Sequence, residues 1–144
     1  MSWLRLGGGR REAAIALVLC VGTIAVAVVL PPDPRGYGTH TRLLRVPCTF
    51  RAITRLPCPL CGMTTGFADM ARGRVRAAVN ANVMAPAGFV ATCLLGLLAL
   101  YGTVSGRGWL PAALNHPAFA SWFLGAILAF WVINLALHFG GWHV

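Results

Sequence analysis

Cys48, Cys58 and Cys61 fall within fourteen residues, and the last two belong to a Cys58-Pro59-Leu60-Cys61-Gly62 turn. Two cysteines separated by two residues can turn both sulfurs toward one point, and Gly62 tolerates the left-handed backbone that such turns often need. This is the shape of a redox dithiol, in which a following helix N-terminus favours the reactive thiolate. In that reading Cys58 is the nucleophile, Cys61 the resolving thiol, and Cys48 a relay to a partner. The same turn is also the shape of a metal knuckle. A closed zinc-like site needs four ligands. Cys48, Cys58 and Cys61 supply three, and His40 is the local candidate for the fourth, with His116, His138 and His143 as alternatives. A plain structural disulfide is the simplest use of the cluster and requires an oxidising compartment. Exchange, ligation, a structural disulfide and thiols with no such role all stay open on the residues alone.

Other chemistries have little to work with. Glu12, Asp33 and Asp69 are the only acids, and the expected topology sets them far apart, so no carboxylate pair is available. No glycine-rich phosphate loop and no Ser-His-Asp order is present. The residues define no enzyme reaction by themselves, and no cofactor beyond a zinc-like metal is indicated.

The elements that must carry the cysteines are apolar. Apolar residues make up 58% of the 144 and charged residues 10%, against about a quarter charged in an ordinary soluble domain. A chain with room for one domain offers no soluble core for that excess, so lipid is the expected solvent. The formal charge is +9, and all twelve basic residues are arginines. They flank apolar runs, which points to anionic headgroups and topology signals rather than to nucleic acid.

Three spans are expected. The run at 13–30 carries no charge, and at about 1.5 Å per residue it is just long enough to cross a hydrocarbon core. Pro31 and Pro32 stop it. A signal peptide is the rival reading, but the run exceeds a usual apolar core and no small-residue cleavage site follows, so a retained anchor is expected. The second span is 84–104, with Pro86 in its first turn. The third is 119–137, with Trp122 and Trp142 near its ends, as an interfacial aromatic belt requires. Asn134 is expected to hydrogen-bond a neighbouring helix. Cys20 and Cys93 lie inside spans and read as small packing residues.

Residues 35–83 form the extramembrane part. Thr64 or Thr65 is expected to cap a helix running to about Arg72, with Gly73 kinking it. Phe67, Met70, Ala71, Val75 and Ala78 share one face. Asp69, Arg72, Arg76 and Asn80 lie opposite, at headgroup level. The result is an interfacial helix or two short pieces. Counting arginines places the cysteine loop inside, whereas Arg5, Arg10 and Arg11 before the first span place the N-terminus in the cytoplasm and the loop outside. Both orientations stay open.

At this point the chain resembles a family of small bacterial membrane proteins, the domain of unknown function numbered 2752. The family pattern is a first cysteine, then Cys-Pro-x-Cys-Gly-x-Thr-Arg, a short helix, a glycine, and an asparagine before the next span. Cys48, Cys58, Pro59, Cys61, Gly62, Thr64, Gly73 and Asn82 hold those places, over roughly residues 40–90. Thr65 stands where the family usually has arginine, and Val83 where a proline usually follows the asparagine. The resemblance implies about three spans in the bacterial inner membrane, with the cysteine loop beside the bilayer on the outer side. It brings no activity with it. The expectation is an all-α multi-pass membrane protein whose partners are the lipid bilayer and another membrane protein.

Overall fold

The structure is a computed structural model that describes residues 9–36, 38–39, 49–54, 58, 60–106 and 117–140. The described residues are helical, with no strand among them. The helices are α1 (Arg10–Val29), α2 (Thr49–Thr54), α3 (Met63–Met70), α4 (Val75–Ala81), α5 (Ala85–Ser105) and α6 (Pro117–Phe139). Two of them, α1 and α5, are long and apolar enough to cross a membrane.

Local chemistry sets the ends of these helices. Leu30 leaves α1 in an extended conformation, ψ 124°, as the residue before a proline is constrained to do. Pro86 sits in the first turn of α5, and Gly106 closes it in the left-handed conformation, φ 67°, with its N–H donating to the Gly102 carbonyl. Gly is favoured there because, without a Cβ, it takes the left-handed conformation at little cost.

α1 and α5 pack against each other with reversed residue order. Ala13 and Ala99 form the buried contact, bordered by Ala16, Leu17 and Leu95. Further along, Cys20 lies against Gly96, where an added Cβ would come within 3.3 Å of the Cys20 Cβ. The buried positions of α1 are Ala13, Cys20 and Ala27, a seven-residue spacing that keeps one seam facing the partner helix. All three are small. Close backbone approach through small side chains is how helices associate where lipid leaves little hydrophobic drive between them. Large aliphatics on the same helices point outward, among them Val18, Leu19, Leu94 and Leu97.

The expected helix after the cysteine turn is two pieces. α3 ends at Met70, and Gly73 at φ 71° breaks the path before α4. Two features differ from expectation. Neither Thr64 nor Thr65 caps α3. Gly62 is the N-cap residue, and no side-chain cap is made. Asp69 does not lie on an exposed face: it is 5% exposed and pairs with Arg74 at 2.7 Å. The bend at Gly73 carries Arg74 off the helical period, so a carboxylate that a continuous helix would expose is covered. Arg72, exposed, also reaches across to α1. Its guanidinium donates to the carbonyls of Ala27 at 3.1 Å and Val28 at 2.9 Å, and to Ala68 at 2.8 Å. The last carbonyls of a helix have no partner within it, and here a cation from the turn after α3 supplies one. Phe67 and Phe89 add an edge-to-face ring pair, 5.6 Å between centroids, which ties α3 to α5.

α6 extends from 117 to 139, slightly beyond the expected third span. The side chain of Asn134 lies outside those residues.

Candidate functional site: the cysteine turn

The turn is built from its backbone upward. The Cys61 N–H donates to the Cys58 carbonyl at 3.0 Å, and the Met63 N–H to the Leu60 carbonyl at 3.1 Å. Two successive tight turns bring the chain round, and Gly62 follows at φ 85°. The result puts the two sulfurs together. The Cys58 thiol donates to the Cys61 sulfur at 3.0 Å. The convergence expected from the spacing is therefore present, and α3 starts immediately behind it.

Three segments hold the turn in place. Asn82 is 1% exposed. Its side-chain amide donates to the Cys61 carbonyl at 3.0 Å, while its side-chain oxygen accepts from the Met84 N–H at 2.8 Å. One residue thus joins the turn to the entrance of α5, using both ends of a group that can donate and accept. Gly62 sits directly on the Ala81 carbonyl, with the Gly36 carbonyl on another side, so any Cβ there would collide with backbone. Glycine is required at this position twice over, by conformation and by space. Gly66, on α3, is pressed against Ala85 and Ala78 in the same way.

The third segment is the loop after α1. The Asp33 N–H donates to the Thr39 hydroxyl at 3.0 Å, and the Thr39 and Thr65 hydroxyls are 2.8 Å apart. Both threonines are fully buried. Asp33 itself is buried and takes two hydrogen bonds from the Arg35 guanidinium, at 3.0 and 2.8 Å. The loop is thereby closed on itself and fastened to α3. Buried polar groups of this kind are affordable only when partnered.

Of the residues singled out by the sequence, the structure brings Cys58, Cys61, Gly62 and Asn82 together. Thr64 lies on the first turn of α3, and Gly73 ends the α3 segment. Cys48, His40 and Pro59 lie outside the described residues, as do His116 and His143. Among the described residues, no group of three potential metal ligands comes together. Cys20 and Cys93 are spread along the α1–α5 seam and take no part in the turn. Arg72, Asp33 and Thr39 carry much of the support but show no sequence signal beyond polarity; their partners are distant in the chain or set by loop geometry.

Part of the chain is similar to a known family. Residues 48–96 match a family model described as Protein of unknown function (DUF2752). The match runs from Cys48 to Gly96, through the thiol turn, α3, α4 and the first half of α5, and it bears out the resemblance read from the sequence. No curated protein and no solved structure matches the chain.

Proposed function

We infer that this chain is a three-span protein of the bacterial plasma membrane whose Cys58–Cys61 pair exchanges disulfides or electrons at the membrane surface. The observation that carries this reading is the 3.0 Å approach of the two sulfurs on a backbone held by Asn82 and Gly62. A dithiol needs only these two groups. A zinc-like site needs further ligands from Cys48 and His40. In the exchange, the Cys58 thiolate attacks a partner's disulfide, forming a mixed disulfide and releasing the partner's second thiolate. Cys61 then attacks the Cys58 sulfur, freeing the reduced partner and leaving a Cys58–Cys61 disulfide. Cys48 relays that disulfide to a further membrane protein.

The membrane reading rests on α1 and α5, which are apolar along their length with only 17% and 11% of the spanning window buried. A core helix of a soluble protein would be mostly covered. α1 behaves as a retained anchor: it packs along α5, and Arg72, in the turn after α3, caps its last carbonyls. α6, with its apolar segment Ser121–Ile133, supplies the third span. A cytoplasmic N-terminus then sets the cysteine turn on the outer, oxidising side, where a dithiol cycles.

The test is thiol trapping in intact cells. Acid-quenched cells are alkylated with a mass-tagged maleimide, with and without prior reduction. Tags at Cys58 and Cys61 that appear only after reduction are the expected result. Thiols tagged fully without reductant, together with stoichiometric zinc that Cys61→Ser loses, would replace this reading with the metal site.

A further inference from the structure

A cavity of about 590 Å³ opens between α1 and α3. Val18, Gly22 and Val26 form one wall, and Met63, Thr64 and Phe67 the other. From Val18 to Val26 the α1 wall spans nine residues, about 12 Å along the helix. Its lining is aliphatic and aromatic, and it lies in the half of α1 that leads toward the cysteine turn. Met63 and Thr64 are the second and third residues after Cys61.

One lining group does not belong in an apolar slot. The Thr64 hydroxyl makes no hydrogen bond among the described residues, whereas the other lining threonine, Thr23, returns its hydroxyl to the Leu19 carbonyl at 2.8 Å. A hydroxyl half-covered in an apolar pocket has reason to meet an acceptor on a ligand.

We propose that this pocket takes a lipid-soluble quinone, which reoxidises or is reduced by the Cys58–Cys61 pair. A quinone ring is flat, dissolves in the bilayer, and carries carbonyl acceptors for the Thr64 hydroxyl. It is also a two-electron, two-proton acceptor, as a dithiol requires. The step balances: Cys58 and Cys61 lose two electrons and two protons and form one S–S bond, and the two quinone carbonyls become hydroxyls. An acyl chain fits the aliphatic walls but offers Thr64 no acceptor and takes no electrons. The inference rests on the dithiol reading and names its membrane substrate.

The experiment uses reduced full-length protein in lipid nanodiscs. The probe is a fully substituted decyl-benzoquinone, whose ring carbons are blocked against thiol addition. Loss of quinone absorbance and loss of maleimide-reactive thiols are followed together. One quinone reduced per two thiols lost is expected, with the loss confined to Cys58 and Cys61. Gly22→Leu puts bulk into the pocket from a position where the Cβ itself meets nothing within 4 Å, and should slow the reaction at least tenfold. Gly125→Leu, an equally open helix glycine away from the pocket, should leave the rate unchanged. Thr64→Val should raise the quinone KM and spare kcat. Equal rates in wild type and Gly22→Leu would overturn the pocket. Oxidation of wild type by diamide but not by the quinone would overturn the quinone and leave the dithiol standing. Failure of diamide to join Cys58 to Cys61 would remove the dithiol reading itself.

Discussion

The side-chain amide of Asn82 donates to the carbonyl of Cys61 across twenty-one residues of sequence, at 3.0 Å. Because the same side chain also accepts from Met84 N–H, its truncation strands two backbone groups in a buried place. Asn82→Ala should destabilise the protein by about 2–4 kcal/mol, the sum expected for two such groups. Asn82→Asp keeps the acceptor and loses the donor, so the α5 entrance should hold while the turn loosens. The measurement is thermal unfolding in detergent beside the alkylation rate of Cys58 and Cys61. An Asn82→Asp protein with wild-type alkylation would show that Asn82 does not hold the turn.

Gly62 should accept no side chain. Gly62→Ala adds a left-handed penalty of about 1–2 kcal/mol to a collision with the Ala81 carbonyl. The expected outcome is loss of folded protein in membranes. Gly73→Ala has the same left-handed backbone but open space around it, so only the conformational penalty should remain. Comparing the two yields by in-gel fluorescence separates crowding from conformation.

Arg72 should resist replacement by lysine. Its guanidinium reaches three carbonyls on two helices, a fork that a single ammonium does not reproduce. Arg72→Lys and Arg72→Gln should both cost about 1–2 kcal/mol, since several bonds to a charged donor are lost but Arg72 is itself exposed. Urea or thermal unfolding reads the difference. Full rescue by lysine would mean that charge alone matters there.

The buried hydroxyl pair should behave as a unit. Thr39→Val and Thr65→Val each leave the other hydroxyl without its 2.8 Å partner. A double-mutant cycle should give a coupling of about 1 kcal/mol. Additive losses would show that the loop after α1 and α3 are fastened by other contacts.

Cysteine replacements should part company. Cys61→Ser removes the resolving thiol and should accumulate a mixed disulfide on Cys58, visible as a reductant-sensitive band of higher mass. Cys58→Ser should form none. Identical behaviour of the two would remove the assigned order of attack.

Much of this arrangement is legible in the chain. Charge-free runs and the Pro31-Pro32 and Pro86 signals locate α1 and α5 to within a few residues, because length and solvation dominate there. The sulfur convergence and the left-handed Gly62 follow from local spacing. Asn82 can be singled out by the resemblance, but its clamp on Cys61 depends on how α4 returns to the turn. Asp69 misleads a helical-wheel reading for the same reason. The bend at Gly73 hands Asp69 to Arg74, and the close approach of α3 to the end of α1 gives Arg72 carbonyl partners that a wheel cannot show. Periodicity describes one helix at a time and carries no information about a neighbour 44 residues away.

The Arg72 clamp also makes α1 a ruler. Its terminal carbonyls are gripped from the α3 side, while its middle is keyed to α5 at Cys20 and Gly96. The stretch between Cys20 and Ala27 therefore sets where α3, and the sulfurs just before it, sit along α1. Inserting one residue there would lift the grip by about 1.5 Å and swing it about 100° around the helix. The grip cannot follow such a swing, so this stretch has a length that its composition does not reveal. Residues within it can be exchanged among aliphatics far more freely than they can be counted differently.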